Sequence, residues 1–134
     1  MINLPTVSDK ELVRAARSVL KPREIRHGFT VGNVGCALVS EKGTVHVGVS
    51  IDTVSGIGFC AEHSAIASMI THGELVFKKI VAVNEDGRPI PPCGRCRELM
   101  SQIHPRNLEA DVIISSTKSV KLEDLLPYPW DQKG

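Results

Sequence analysis

An α/β fold, with one sheet covered by helices on both faces, is what this sequence predicts. Apolar runs of strand character alternate along it with stretches of helical apolar spacing. The resulting order is helix, β-hairpin, helix, strand, helix, strand. A length of 134 residues is that of one domain, and it can bury a core without disulfides. No repeat, low-complexity stretch or interdomain linker divides it, so residues 1–134 read as a single domain.

The elements follow in order. Residues 8–20 predict a helix: Ser8 can cap it with Glu11 three residues on, and Leu12, Val13, Ala16, Val19 and Leu20 form one apolar stripe. Pro22 lies just past its end. Residues 23–33 mix charges with His27-Gly28 and Gly32-Asn33 and predict a loop. Residues 34–40 and 44–51, apolar and β-branched, predict a hairpin closed by Glu41-Lys42-Gly43. A loop with Ser55-Gly56 and Gly58 then leads to Cys60. Residues 60–71 predict a second helix, stopped by His72-Gly73. Residues 77–84 predict a short buried strand. Pro89, Pro91 and Pro92 argue against regular structure until Cys93. A helix over 93–104 stops at Pro105, and Val112-Ile113-Ile114 predicts a strand. Residues 122–126 fit one helical turn before Pro127.

Composition narrows the function. The hydrophobic fraction is 42% and the charged fraction 23%, ordinary values for a globular protein. A formal charge of +1 offers no general field for a phosphate backbone, so nucleic acid is not the expected partner. No apolar run approaches a membrane span. Met1 to Pro5 lack the basic and apolar regions of a secretory signal. With cysteines at metal-like spacing, this predicts a reducing, cytoplasmic setting.

The chemistry concentrates in Cys60-Ala61-Glu62-His63 and Pro92-Cys93-Gly94-Arg95-Cys96-Arg97. Both segments follow irregular loops and open helices, where unpaired N–H groups favour thiolate over thiol. Cys93 and Cys96, three apart, share one face of a turn and can grip one ion. If Cys60 joins them, three sulfurs leave the fourth position of a zinc ion for water, the layout of a catalytic site. Zinc brings the pKa of such a water to roughly 7. Cys60 then stands at the helix cap and Glu62 points into the cavity, suited to shuttle protons. Arg97 can offset the net negative charge by donating to sulfur, or can simply be a solvated surface charge.

Two alternatives use the same cysteines. A thiol-disulfide pair needs only Cys93 and Cys96 and leaves Cys60 and Glu62 unexplained. A structural zinc, in a binding module without turnover, would recruit Cys36. That residue lies in an apolar strand and is most simply a small buried hydrophobe. The histidines read as non-ligands: His72 and His104 stand at helix ends, His46 in a strand, His27 in a loop, and His63 directly after the glutamate.

Taken together, these two motifs resemble the small cytidine deaminase family, whose zinc enzymes carry a Cys-x-Glu and a later Pro-Cys-x-x-Cys. The resemblance runs from about Val34 to Trp130. It implies a three-layer α-β-α fold with a mixed five-stranded sheet, one zinc per chain, and a homotetramer whose active sites lie near subunit interfaces. It implies hydrolysis of the amino group of a cytosine ring, in a free nucleoside or nucleoside-like molecule, with loss of ammonia. Residue by residue, Cys60, Cys93 and Cys96 fall on zinc-ligand positions, Glu62 on the proton shuttle and the Ala61 backbone on a base contact. His63 stands where Arg is common, beside the ligands. The segment Pro92-Cys93-Gly94-Arg95-Cys96-Arg97, His104-Pro105 and the ending Leu125 to Trp130 look more like the blasticidin S deaminase branch. The family's ribose-binding Asn-x-Glu aligns with Val49 and Ile51, neither of which can hydrogen-bond through its side chain. Gly32 stands where an aromatic is usual, with Phe29 close by. Asp52 is then a candidate for a different polar contact, or bonds its own turn. Trp130 is a candidate to cover the substrate, or packs the tail.

Overall fold

Helix α1 (Asp9–Ser18) begins where Ser8 caps it: its Oγ accepts from the N–H of Glu11 at 3.1 Å and donates to the Glu11 carboxylate at 3.2 Å. It is the first element of a computed structural model that describes residues 6–131. Residues 1–5, read above for a secretory signal, lie outside the described residues. The chain continues through β1 (Arg23–Arg26), β2 (Phe29–Ser40), β3 (Val45–Asp52), α2 (Ala61–Thr71), β4 (Phe77–Val83), β5 (Pro89–Ile90), α3 (Gly94–Ile103), β6 (Asp111–Ile113), β7 (Ser119–Lys121) and α4 (Leu122–Leu125).

All the strands join one mixed sheet. β4 and β6 run parallel, and every other pairing is antiparallel. Seven strands replace the five expected, yet the sheet is five columns wide. Thr30 and Val31 of β2 pair with β3 on one edge and with β1 on the other, the edge that β4 occupies further along. Likewise β5 extends the β6 edge of β4. The loop expected over 23–33 is therefore β1 and the start of β2, and the proline stretch holds a two-residue strand. Pro89, at the start of β5, sits where a missing N–H costs little.

The alternation of β2 and β4 divides the interior in two. Cys36, Leu38 and Ile80 face α2 and α3, where Ala65, Ile66, Met69 and Met100 meet them. Ala37, Val39, Val81 and Val83 face α1 and bury Leu12 and Ala16. The sheet is thus covered on both faces, as the alternating order predicts. On β3, Gly48 lets α2 close in: a Cβ there would collide with Ala65 N and the Ser64 side chain. Among the described residues no helix is long and apolar enough to cross a membrane.

Asn107, wholly buried, fixes the end of α3 against the sheet. Its Oδ1 accepts from Phe77 N–H at 3.1 Å, and its Nδ2 donates to the carbonyls of Leu75 and Met100 at 3.0 and 3.1 Å. Removing the amide strands three backbone groups. Asn107→Ala is expected to lower stability by about 2–4 kcal/mol. Denaturant unfolding checks this, and a loss near zero would show that water replaces the amide.

Candidate metal centre and its cavity

Two helix starts meet at one point. Cys60 is the N-cap of α2, with extended backbone at φ −71° and ψ 157°, and Cys93 is the N-cap of α3 at φ −70° and ψ 167°. Gly58 makes the approach to Cys60 possible. A side chain there would strike the Ile51 carbonyl, and its absence lets Phe59 bridge to Ile51 with N···O distances of 2.9 and 3.0 Å. The Cys60 and Cys93 sulfurs lie 3.4 Å apart, and those of Cys93 and Cys96 3.5 Å. All three ligand atoms fall within 4.8 Å of one another. These gaps are far too long for disulfides. Sulfurs holding one tetrahedral zinc stand about 3.8 Å apart, so these two pairs need spread by only a few tenths of an ångström to take the ion. Cys36 stays in the core, outside this group.

The charge balance of the three thiols also fits a cation. Burial first, then the Glu62 charge and the other two sulfurs, push the Cys96 thiol far above its usual range. Burial and the bond to Cys93 raise Cys60 too. Only Cys93 is held below its usual value: burial opposes this, but bonds from the Cys96 N–H, the other two thiols and the Arg95 N–H win. The helix starts alone thus do not give the three thiolates expected from sequence, because burial first, and then the neighbouring negative charges, oppose ionisation. A divalent ion among the sulfurs removes that conflict.

Cys60 and Cys93 open onto a cavity of about 380 Å³, with Cys96 buried behind them. Glu62, in the first turn of α2, lines it while only 5% exposed, and burial raises its carboxyl pKa. Ala61 is buried beside it. One alignment in the sequence needs correcting. Gly48 abuts α2, so Ser50 and Asp52 share its face of β3, whereas Val49 points the other way. Ser50 and Asp52, and not Val49, therefore present side-chain polar atoms to the cavity; Ile51 borders it beside Gly58. A shift of one residue along a strand swaps its two faces. Ser50 accepts from the Val34 N–H at 3.0 Å, and Asp52 meets Asn33 Nδ2 at 3.5 Å.

Arg95, between two of the cysteines, also lines the cavity, as do Phe59, Ile90 and Pro91. The sequence reading missed Ser50 and Arg95. The period-two pattern counted from Gly48 would have found Ser50. His63 Nδ1 lies 3.4 Å from Cys96 Sγ, and its ring stacks on Phe59. Arg97 follows neither of its two readings from sequence, a donor to sulfur or a solvated charge. Its Nε donates to the Pro92 carbonyl at 2.8 Å and its Nη1 to the Leu125 carbonyl at 3.2 Å, which turns it away and ties the Cys93 loop to α4. Trp130 is 73% exposed and lies outside the cavity lining.

Zinc must displace protons from raised thiols, and the competition eases as pH rises. Apparent zinc affinity is therefore expected to climb more than about tenfold between roughly pH 6 and 8. Chelator competition measures this, and a flat profile would contradict it.

Residues 7–110 match the family model for the cytidine and deoxycytidylate deaminase zinc-binding region. A cytidine deaminase of Halalkalibacterium halodurans is 29% identical over 126 residues, covering 88% of this chain and 87% of that protein. A blasticidin-S deaminase of Bacillus cereus is 35% identical over 110 residues, covering 73% of this chain and 76% of that one. The crystal structure of a glutamate-to-glutamine mutant of cytidine deaminase from Mycobacterium tuberculosis superposes with a TM-score of 0.79 at 25% identity, covering 92% of this chain and 98% of that chain. With the family model spanning most of its length, and three thiols placed to hold one metal ion, this chain belongs to the cytidine and deoxycytidylate deaminase family, whose domain binds zinc.

Proposed function

We propose that the protein is a hydrolytic deaminase of a free cytosine nucleoside or a nucleoside-like molecule. The observation that carries this reading is the position of Glu62: buried, it lines the same cavity as Cys60 and Cys93, two of the three cysteines that can hold the ion. A structural zinc would need no such group.

Cys60, Cys93 and Cys96 would hold the ion, which when bound would supply the activation of water. Glu62 moves the protons, one to the ring nitrogen beside the amino-bearing carbon and one to the departing amine. The net reaction puts the oxygen of water on that carbon as the new carbonyl and releases ammonia. Burial suits Glu62 to both steps, since a raised pKa lets it hold a proton between them. Burial of the Ala61 backbone keeps solvent from the ring's polar edge. His63 supports Cys96, and Arg97 holds the Cys93 loop in place.

Ser50 and Asp52 are our candidates to hold the sugar end. Ser50 uses its oxygen lone pair on Val34 and keeps its hydroxyl proton to donate. Asp52 can accept from a hydroxyl or an amine. A cytidine-type and a blasticidin-S-type substrate both present such groups, and the similar proteins include both kinds of deaminase. We further propose a homotetramer in a reducing cytoplasm. Val54 and Ile57, strongly exposed on the loop before Cys60, and the exposed Trp130 and Tyr128 are large apolar surfaces for a neighbour to cover.

Ammonia release from cytosine, cytidine, deoxycytidine, cytidine monophosphate and blasticidin S tests the reading. Glu62→Gln is expected to keep zinc and lose about 100- to 10,000-fold in turnover. A fully active variant would remove the mechanism, and silence from zinc-loaded protein on all five compounds would favour a non-catalytic module. Asp52→Ala is expected to raise KM about tenfold or more on the preferred substrate, with kcat less affected. An unchanged KM would exclude Asp52 from the sugar subsite. Sedimentation at micromolar concentration is expected to give a tetramer, and a monomer would count against the assembly.

A further inference from the structure

A second hollow, larger than the cysteine cavity, lies on the other side of the molecule, and deamination makes no use of it. It opens between α1 and the turn joining β6 to β7, with a volume of about 580 Å³. Lys10, Arg14 and Arg17 stand four and three residues apart on α1, so they form one stripe, and all three line the hollow. Lys118 faces them from the turn Ser115-Ser116-Thr117-Lys118-Ser119, which adds four hydroxyls.

Charge distinguishes this hollow from an ordinary solvated helix face. Its one acidic lining residue, Asp9, is already bound by Lys79 at 2.8 Å. Four cations against one carboxylate leave a local charge of +3, in a chain whose whole formal charge is +1. Lys10, Arg14 and Lys118 form no ion pair among the described residues. Arg17 is steadied by the Gly87 carbonyl at 2.6 Å through Nε, which leaves its terminal nitrogens to donate elsewhere. Thr117 N–H is turned inward onto Ser115 Oγ at 3.2 Å, so the turn is folded on itself with its hydroxyls grouped. The rest of the wall is apolar: Val13, Pro89 and Ile113.

We propose that this hollow binds a phosphorylated small molecule. Arg14, Arg17, Lys10 and Lys118 take the phosphates, the hydroxyls of 115–119 complete their hydrogen bonds, and Val13 and Ile113 support an apolar part. Arginine donors in pairs suit phosphate oxygens. Each phosphoryl group carries about −1.5 to −2, so a charge of +3 matches a ligand with two of them. The volume falls in the range of small-molecule sites, about 300–1,000 Å³.

Adenosine diphosphate, which joins two phosphates to an apolar ring, is a suitable probe for the zinc-loaded full chain. Calorimetry at physiological salt is expected to give saturable, sub-millimolar binding. Amide shifts should concentrate on residues 115–119 and on α1. Arg14→Ala and Lys118→Ala, both exposed and distant from the cysteines, should each weaken binding by about tenfold. No saturation by about 10 mM would overturn the proposal, since a site of that weakness has no specific grip. So would shifts centred on 60–62 and 93–96, or equal binding by both variants. Tighter binding of a single-stranded thymidine oligonucleotide at the same residues would also overturn it, in favour of a polymer.

Discussion

The structure depends on one constraint: the starts of two helices must hold sulfurs from distant parts of the chain within contact. Cys60 and Cys93 are 33 residues apart in sequence and 3.4 Å apart in space. Nothing local brings them together. The β2–β3 hairpin fixes where α2 begins, through the Phe59 bridge to Ile51, and β4 with β5 fixes where α3 begins. Arg97 and Asn107 then hold α3 at both ends, one through the loop before it and α4 beyond it, the other through Met100 and the edge of β4. An ion between the sulfurs would serve the fold as well as the chemistry, because its charge offsets the burial and the neighbouring negative charges that raise the Cys60 and Cys96 thiols.

What the sequence made legible was whatever carries a strong local signal. The Ser8 capping box placed α1, the apolar runs placed β2 to β4, and His72-Gly73 ended α2. The Cys-x-Glu and Cys-x-x-Cys spacings brought out the candidate metal residues because a cap and a first turn suffice to aim them. Strands β1 and β7 were not legible. They are largely exposed, so pairing with a neighbour and not burial makes them strands, and pairing leaves no mark on the local pattern. The same limit applied to the β3 side of the cavity. Which of Val49 and Ser50 turns towards it depends on the strand's register, which the contact of Gly48 with α2 shows. Arg97 misled for a related reason: adjacency to Cys96 in sequence says nothing of which carbonyl its guanidinium will find.

The two hollows are closer neighbours than their opposite sides suggest. Pro89 lines the basic one, and Ile90, the next residue, lines the cysteine cavity. Successive residues of β5 thus form the two surfaces of one thin wall. Arg17 holds Gly87 in the turn that leads into it. The strand that the sequence reading dismissed for its prolines is therefore the partition between the two concave sites described, and its rigidity is part of how each keeps its shape.

The single parallel pair of strands has a consequence for synthesis. β4 can join β6 only after α3 has crossed between them, and α3 carries two of the three sulfurs. A chain leaving the ribosome therefore exposes Cys60 while 33 more residues are made, a delay of about 2–7 s. Through that interval the nascent protein holds one of the three sulfurs of the metal cluster. The centre can close only once the chain has been made through Cys96, so a product terminated before Cys93 lacks two of the three candidate ligands.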